Sequence, residues 1–553
     1  MTRNTDKSAS RSGAANIFTV PPGRPFLDAL AEAMLSGALG AATASDDLQA
    51  LADVTLLLPT RRATRALQDA MLKHSGRCAV LMPRIRAIGD GDDELTLLSG
   101  LAGLTTMAID DTDALPAISA LERRLVLTQL VLAWSEKMRS ASAEPLDPTG
   151  EFAEFAGAGR STPAQASLLA DELGRLMDMV ETEGVSLGRM AELVPDSYSE
   201  HWKKTLDFLE IITAFWPAHL AEQALASPAA SRNRSLELET RRLLESPPKS
   251  PVIVAGVTGS IPATAALMRA VAGLDNGYIV LPALDMHLDE ASWRAIRPAD
   301  EKATAPRHFE HPQHGMKKLL DRLGVERADV RILPGAEPAP AQSDRLAFVA
   351  EAMRPASTTA AWHDYASTVD RDRLRAGLSG INLIDAPAAQ DEAEAVALIL
   401  REALEVPGRT AALVSPDRLL ARRVAARLES WGIRVDDSAG RPFAKTVPGA
   451  FLDLVIEAVD SSFAPAELMA LLKHPLTRVG LGAFEVRRAA RALELAAFRT
   501  EYLGQGLDGV EAALEQAAAD VANRERRERP VRRLWKEDWE GARDLVTRLK
   551  AAF

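Results

Sequence analysis

The residues that come closest to a chemical site lie near the N-terminus, in a strand–loop–helix pattern whose loop is Pro21-Pro22-Gly23-Arg24. A phosphate-binding loop at such a place needs several backbone amides, a lysine for the β- and γ-phosphates and a hydroxyl for magnesium. This loop offers one glycine and no lysine, and Asp28 stands where a hydroxyl is needed. The sequence therefore predicts a degenerate nucleotide loop, which keeps the architecture of a nucleotide site and lacks its chemistry.

A second requirement for ATP hydrolysis, an acidic residue at the end of another strand, is also missing. That residue holds magnesium and orders the attacking water. The best candidate strand, residues 252–257, carries Ala255-Gly256 at its end, and the next acid along the chain is Asp275. The absence of both the lysine and the acid argues against ATP hydrolysis by this chain.

A cluster of arginines follows the predicted strand at 53–58. Arg61, Arg62 and Arg65 occupy the first turns of a predicted helix, residues 61–74. Because a helix N-terminus is already partly positive, arginines there are unfavourable unless an anion lies above the turn. Thr60, Arg61 and Arg62 are therefore candidates for contact with a phosphate of a nucleic-acid backbone. An ordinary solvated helix face explains the same positions equally well.

Three histidines at a spacing of three, His308, His311 and His314, suggest a metal site. Pro312 breaks the helix that would align the three rings, and no cysteine completes a ligand set. We therefore expect no metal ion in this chain.

Composition limits both the kind of site and the location. The 553 residues carry a formal charge of −12, so any contact with nucleic acid must come from local arginine clusters. The single cysteine, Cys78, excludes an internal disulfide, a cysteine-ligated iron–sulfur cluster and a cysteine-rich zinc site within the chain. No apolar run approaches the roughly 18 residues that span a membrane. Residues 1–15 are typical of a disordered polar tail, and we expect a cytoplasmic protein without a membrane partner.

The order of the predicted strands and helices indicates an α/β fold with parallel sheets. Near-continuous apolar runs, typical of strands buried on both faces, occur at 53–58, 78–82, 252–257 and 278–282. Residues 116–246 have helical spacing instead. We therefore expect one α/β domain, residues 16–115 plus 247–335, interrupted by a helical insertion at 116–246.

A second α/β domain is predicted at residues 380–480, beyond an Ala/Pro-rich linker at 336–379. Its strands are expected at 381–385, 411–414 and 433–435, alternating with helices. Residues 481–553 are predicted to form a further helical insertion that is incomplete.

Several motifs occur in the order in which one protein family carries them. They are Phe18-Thr19-Val20-Pro21-Pro22-Gly23, Leu57-Leu58-Pro59-Thr60-Arg61-Arg62-Ala63, Glu181-Thr182-Glu183-Gly184-Val185, His201-Trp202, Ala255-Gly256-Val257-Thr258-Gly259-Ser260 and His311-Pro312-Gln313. The chain thereby resembles the N-terminal, helicase-like half of the AddB subunits of bacterial AddAB helicase–nucleases, most closely the alphaproteobacterial type.

The resemblance implies a superfamily 1 helicase-like fold, with two RecA-like parallel-sheet domains that each carry a helical insertion. It implies a DNA-binding, ATPase-inactive subunit that works beside an AddA-type motor subunit. The substrates would be DNA ends and single-stranded DNA, in recombinational repair of double-strand breaks. Contact with DNA is carried over to Thr60, Arg61 and Arg62, and His311-Pro312-Gln313 becomes part of a structural loop.

In that family, the iron–sulfur cluster and the nuclease magnesium belong to a C-terminal part that this sequence does not contain. No cofactor is therefore expected in this chain, which reads as a fragment or a truncated product. Two alternatives stay open, a P-loop NTPase with a degenerate loop and a protein-interaction scaffold. ATP turnover would favour the first alternative, and a lack of salt-dependent DNA binding would favour the second.

Overall fold

The computed structural model describes residues 16–40, 48–88, 115–141, 162–185, 208–297, 308–438, 440, 442–499, 501–523 and 531–553. The tail expected at residues 1–15 lies outside these ranges. The chain forms two compact units, Met1–Ile381 and Asn382–Phe553, and each is described by itself. None of the helices in these ranges has the length and apolar composition that a membrane span requires.

The first unit is built on a six-stranded, all-parallel sheet, which confirms the predicted α/β class. Its strands are β1 (Ile17–Val20), β2 (Thr55–Leu58), β3 (Arg84–Ala87), β4 (Val252–Ala255), β5 (Gly277–Pro282) and β6 (Arg331–Ile332). They lie in the order β3-β2-β4-β5-β1-β6. Leu57 pairs with Val254, so strands from both sides of the helical insertion belong to one sheet, as the apolar runs predict.

The helices of this unit precede, follow and connect the strands. They are α1 (Phe26–Leu35), α2 (Leu48–Asp53), α3 (Arg61–Ser75), α4 (Ala120–Ala141), α5 (Pro163–Thr182), α6 (Trp216–Glu222), α7 (Pro228–Glu245), α8 (Pro262–Ala272), α9 (Glu290–Ile296), α10 (His314–Leu323), α11 (Pro340–Ala352), α12 (Trp362–Thr368) and α13 (Arg371–Leu378). Short turns of 3-10 or π helix lie at Ile211–Phe215, Arg327–Asp329 and Ala356–Ala361.

The sheet separates two apolar cores, because neighbouring residues of a strand point to opposite faces. Phe18 packs with α1 and α3 in one core, whereas Ile17 packs with α8 and α10 in the other. Each central strand must therefore be apolar at successive positions, which is why these strands read as unbroken apolar runs.

Edge strand β3 corrects one prediction. The strand expected at 78–82 is wrong, and the paired residues are Arg84–Ala87. Ile85 packs into the core beside α1 and α3, and arginines stand on either side of it. An edge strand needs only one apolar face, and basic side chains protect its open edge. The most apolar run, at 78–82, therefore did not mark the position of this strand.

The helical insertion has its own core between α4, α5 and α6. Leu127, Met177 and Trp216 are among its most buried side chains. Arg123, only 8% exposed, joins α4 to α5 by donating to both carboxylate oxygens of Asp178, at 2.9 and 3.1 Å, and to the carbonyl oxygen of Gly174 at 2.6 Å.

The segment expected as a linker, residues 336–379, is not a linker. It contains α11, α12 and α13, and it belongs to the first unit. Its alanines and prolines start and build helices, since α11 begins with Pro340 in its first turn, where the missing amide proton costs nothing.

The second unit is helical throughout its described elements. They are α14 (Ala389–Leu404), α15 (Arg418–Ser430), α16 (Val447–Asp460), α17 (Pro465–Lys473), α18 (Ala483–Leu493), α19 (Gly506–Ala522) and α20 (Lys536–Ala552), with short turns at Phe443–Lys445, Glu494–Phe498 and Val531–Arg533. One core lies among α17 to α20, and a smaller one lies between α14 and α15.

The strands predicted at 381–385, 411–414 and 433–435 are wrong, because no strand is assigned in the described part of residues 381–553. Leu413 and Ile433 still pack against α14 and α15, but Leu383 is 96% exposed and Val414 is 93% exposed. An apolar run predicts a strand only when a neighbouring strand is present to pair with it.

Candidate functional site at the carboxyl edge of the sheet

The fold has a topological switch point between β1 and β5. The chain leaves β1 through α1 and passes β5 and β4 to reach β2. It leaves β5 in the other direction, past β1 to β6, with α9 and α10 on the opposite face of the sheet. Open α/β sheets bind ligands at the carboxyl ends of adjacent strands whose connections run in opposite directions on opposite faces of the sheet.

The predicted nucleotide loop is a tight turn. The amide of Arg24 donates to the carbonyl oxygen of Pro21 at 3.3 Å, and Gly23 in the third position has φ = +87°. A proline followed by a glycine with positive φ is the pattern of a type II turn. A loop closed in this way does not form the multi-amide cradle that a phosphate requires.

Side chains of the protein itself occupy the space beside this turn. Gln342 Nε2, on α11, donates to the carbonyl oxygen of Pro22 at 3.0 Å. A Cβ placed on Gly23 would lie 2.1 Å from the same nitrogen. Arg24 donates from Nη2 to the carbonyl oxygen of Gly335 at 2.9 Å and lies 3.7 Å from Glu32. The loop is thereby tied to the segment after β6.

Asp28, which replaces the expected hydroxyl, joins α1 to α3. Its Oδ1 lies 2.5 Å from His74 Nε2 and 3.0 Å from Lys73 Nζ. Hydrogen bonds from His74 and Lys73 hold the pKa of Asp28 below its ordinary value. This carboxylate is thus engaged in packing α1 against α3.

The end of β4 has a glycine where an ATPase needs an acid. Gly256 has φ = +72°, and a Cβ there would lie 3.2 Å from the ring of Phe26 and 3.5 Å from Pro59 Cδ. The loops that follow β1, β2 and β4 therefore meet at this glycine. Close approach of three loops excludes a larger side chain at that point.

Thr60, Arg61 and Arg62 lie together at the carboxyl end of β2. Thr60 is the N-cap of α3, and its Oγ1 accepts a hydrogen bond from the amide of Ala63 at 3.1 Å. Arg61 and Arg62 are exposed, and the first turn of α3 has no acidic residue. Leu67, Ala70 and Met71 form the buried face of the helix, so both arginines project away from the core.

A second polar loop lies beside this one, because β2 and β4 are neighbours in the sheet. It contains the exposed hydroxyl residues Thr258 and Ser260, and α8 begins after it without a side-chain cap. Arg322 Nη1 lies 3.4 Å from the carbonyl oxygen of Ser260. Residues 258–262 are not among the site residues predicted from the sequence, because only the pairing of β4 with β2 shows that their loop lies beside Thr60.

The three histidines do not form a metal site. His308 contacts Glu310 and Ser357, each at 3.0 Å, and His311 Nε2 contacts the carbonyl oxygen of Met353 at 2.8 Å. His314 packs against the ring of Phe309. No group of potential metal ligands occurs in the described part of the chain.

A cavity of about 280 Å³ lies at the switch point itself, between the ends of β1 and β5 and helix α11. The cavity could not be predicted from the sequence, because residues 336–379, which include α11, were expected to be a linker.

Comparisons with protein-family models and with curated proteins give no match. The functional assignment therefore depends on the geometry of this edge and on the motifs of the sequence.

Proposed function

We propose that this chain is a DNA-binding, ATPase-inactive, helicase-like subunit of a helicase–nuclease that processes DNA double-strand ends for recombinational repair. The observation that carries the proposal is the placement of Thr60, Arg61 and Arg62 at the carboxyl edge of a parallel sheet. Exposed arginines at a helix N-terminus lie in a position that favours an anion. A nucleic-acid backbone supplies such anions at regular spacing.

The neighbouring loop supports the same interpretation. Thr258 and Ser260 extend the polar surface from the end of β2 to the end of β4. Hydroxyls and backbone amides hold phosphates without reading base sequence. We therefore expect binding to be independent of sequence and sensitive to salt.

Lack of ATPase activity is supported by three separate features. The loop after β1 is a closed turn without lysine, the end of β4 has Gly256 in place of an acid, and Asp28 is bonded to α3. Each missing charge would have stabilised the transferring phosphoryl group by several kcal/mol.

The finer assignments follow the resemblance. A sheet that is wound on both faces, with β1 inside it, is compatible with a first RecA-like domain at residues 16–115 plus 247–335. The AddA-type motor partner and a second RecA-like domain are inferred from the resemblance alone, since the described part of residues 381–553 contains no strand. The proposal places this chain in the cytoplasm, with DNA ends and single-stranded DNA as substrates.

A salt titration of DNA binding tests the proposal. Fluorescence anisotropy with a labelled single strand should show that log affinity falls linearly with log salt. The variant Arg61→Ala/Arg62→Ala should bind more weakly and flatten that slope by roughly one to two units. The matched control is Arg422→Ala/Arg423→Ala, an exposed pair on α15 that changes the net charge equally.

The two variants separate a local site from general charge. Equal salt slopes for the parent and for the Arg61/Arg62 variant would contradict the proposed contact. An equal loss of DNA affinity in the Arg61/Arg62 and Arg422/Arg423 variants would contradict it as well. A parent chain that binds no DNA at low salt would favour an interaction scaffold instead.

The ATPase part of the proposal has its own measurement. Steady-state phosphate release with single-stranded DNA present should not exceed that of a mock purification. Turnover that persists through repurification would point to a functional NTPase with a degenerate loop.

A further inference from the structure

The cavity at the switch point has walls made mostly of carbon. It lies where β1 and β5 end, under helix α11. Its apolar wall includes Leu284, Met286, Ile332, Leu346, Ala350 and Met353. About 280 Å³ is far more than one water molecule occupies, so the space is of the size that holds a ring-shaped ligand.

The polar groups on the wall are bonded within the protein. His311 Nε2 donates to the carbonyl oxygen of Met353 at 2.8 Å, and its Nδ1 accepts from the amide of Gln313 at 3.1 Å. Burial lowers the pKa of His311, in keeping with a neutral ring that donates from one nitrogen and accepts at the other. The side chain of Gln313 bridges the carbonyl oxygen of Ala283, at 3.0 Å, and the amide of Asp285, at 3.1 Å.

The charges around the cavity disfavour an anion. Among the described residues that line it there is no lysine or arginine, and the Oδ1 atom of Asp285 accepts hydrogen bonds from the amides of His287 and Leu288, at 2.8 and 3.0 Å. Arg24 of the adjoining turn is directed to Gly335 and Glu32. A nucleotide phosphate would lose its hydration here without gaining a charge partner.

The mouth of the cavity is also apolar. Val349, on α11, and Met353, directly after this helix, are 44% and 45% exposed. A methionine at the rim adapts its shape at little cost, because its side chain is unbranched and flexible. A ligand entering here would remove these exposed side chains from water, which is favourable in proportion to the apolar area covered.

We propose that this cavity binds a small, uncharged, mainly apolar molecule of about the size of an aromatic bicycle. The cavity lies at the carboxyl ends of parallel strands, where open α/β sheets bind ligands. Its lining disfavours a phosphate and favours a hydrocarbon surface. This inference does not depend on the proposed function, since it concerns neither DNA nor the end of β2.

Indole serves as the test molecule, because it is neutral, planar and of suitable size. Ligand-observed NMR with the full chain should show saturable indole binding, and ADP should not compete. Val349→Trp should fill the mouth and weaken binding by about tenfold or more. Ala352→Trp, on an exposed position of the same helix, is the matched control and should bind like the parent.

Thermal melts show whether the variants are folded, and Met353→Trp replaces Val349→Trp if the latter is not. Absence of saturable binding to the parent would overturn the proposal, as would equal binding by the mouth variant and the control. Competition by ADP would overturn the selection against phosphate. DNA anisotropy of the same samples reports on the proposed function independently.

Discussion

The side-chain amide of Gln342 donates to the carbonyl oxygen of Pro22 at 3.0 Å, and it occupies the space where a side chain of Gly23 would lie. Gln342 and Pro22 are more than 300 positions apart in the chain. The contact joins the first loop of the sheet to α11, a helix that comes after the last strand. The loop predicted to be a degenerate nucleotide loop is therefore held closed from outside its own strand–loop–helix unit.

Gly23→Ala should destabilise the first unit by about 1–2 kcal/mol, because alanine is strained at φ = +87°. The new methyl group should also displace the flexible Gln342 side chain and break its hydrogen bond. Gln342→Ala alone should cost roughly 0.5–1.5 kcal/mol.

A double-mutant cycle with urea denaturation checks this coupling. The losses in free energy of unfolding for Gly23→Ala and Gln342→Ala should sum to more than the loss in the double variant. The reason is that alanine at position 23 has already removed the hydrogen bond of Gln342. Strict additivity would show that the two residues act independently.

Asp28→Asn should lower the melting temperature at neutral pH. The folded-state pKa of Asp28 is depressed, so its stabilising contribution is fully present above the unfolded pKa, which is about 3.9. That contribution is lost as the pH falls through the lower, folded-state pKa.

Melting curves from pH 7 down to pH 3 measure this dependence. The difference between the parent and Asp28→Asn should shrink below about pH 4. Asp69→Asn makes the same change of charge at an exposed position of α3 and is the matched control; the pH dependence should be larger for Asp28→Asn. A difference in melting temperature between the parent and Asp28→Asn that stays constant with pH would argue against the ion pair between Asp28 and α3.

Asp178→Ala should destabilise the helical insertion by about 1–3 kcal/mol. The buried guanidinium of Arg123 would lose both hydrogen bonds to a carboxylate and keep the carbonyl oxygen of Gly174, with Glu181 as a remaining nearby carboxylate. The expected loss of stability is smaller than for a fully buried ion pair, because the side chain of Asp178 is 43% exposed.

Hydrogen exchange in α4 and α5 provides the measurement for this variant. Glu172→Ala, which removes the partner of the exposed Arg175 on the same helix, should cost less than about 0.5 kcal/mol. Similar protection in both variants would mean that burial of Arg123 does not depend on its ion pair.

The elements predicted best from the sequence are those whose environment is uniform along their length. Strands β2 and β4 are buried on both faces, so Leu56-Leu57-Leu58 and Val252-Ile253-Val254 identify them without further information. Helix α3 begins and ends with residues that favour those positions, since Thr60 caps it and Gly76 adopts φ = +63°.

The errors concern features that depend on a distant partner. Arg84–Ala87 is a strand because β2 lies beside it, and the apolar run at 411–414 is no strand because no neighbour pairs with it in the described structure. Arg61 and Arg62 could be placed from sequence, because a strand end fixes the start of the next helix. The cavity could not be located from sequence, because residues at the ends of β1 and β5 and on α11 form its walls together.

The position of β1 inside the sheet has a consequence for synthesis on the ribosome. Thr19 lies opposite Leu281, which is 262 residues further along the chain. At the usual rate of 5–20 residues per second, the first strand emerges roughly 13–50 s before its neighbour in the sheet. During that interval the most apolar stretch near the N-terminus has no native strand to pair with. We therefore expect β1 to stay unpaired in the nascent chain until residues 277–282 have been synthesised.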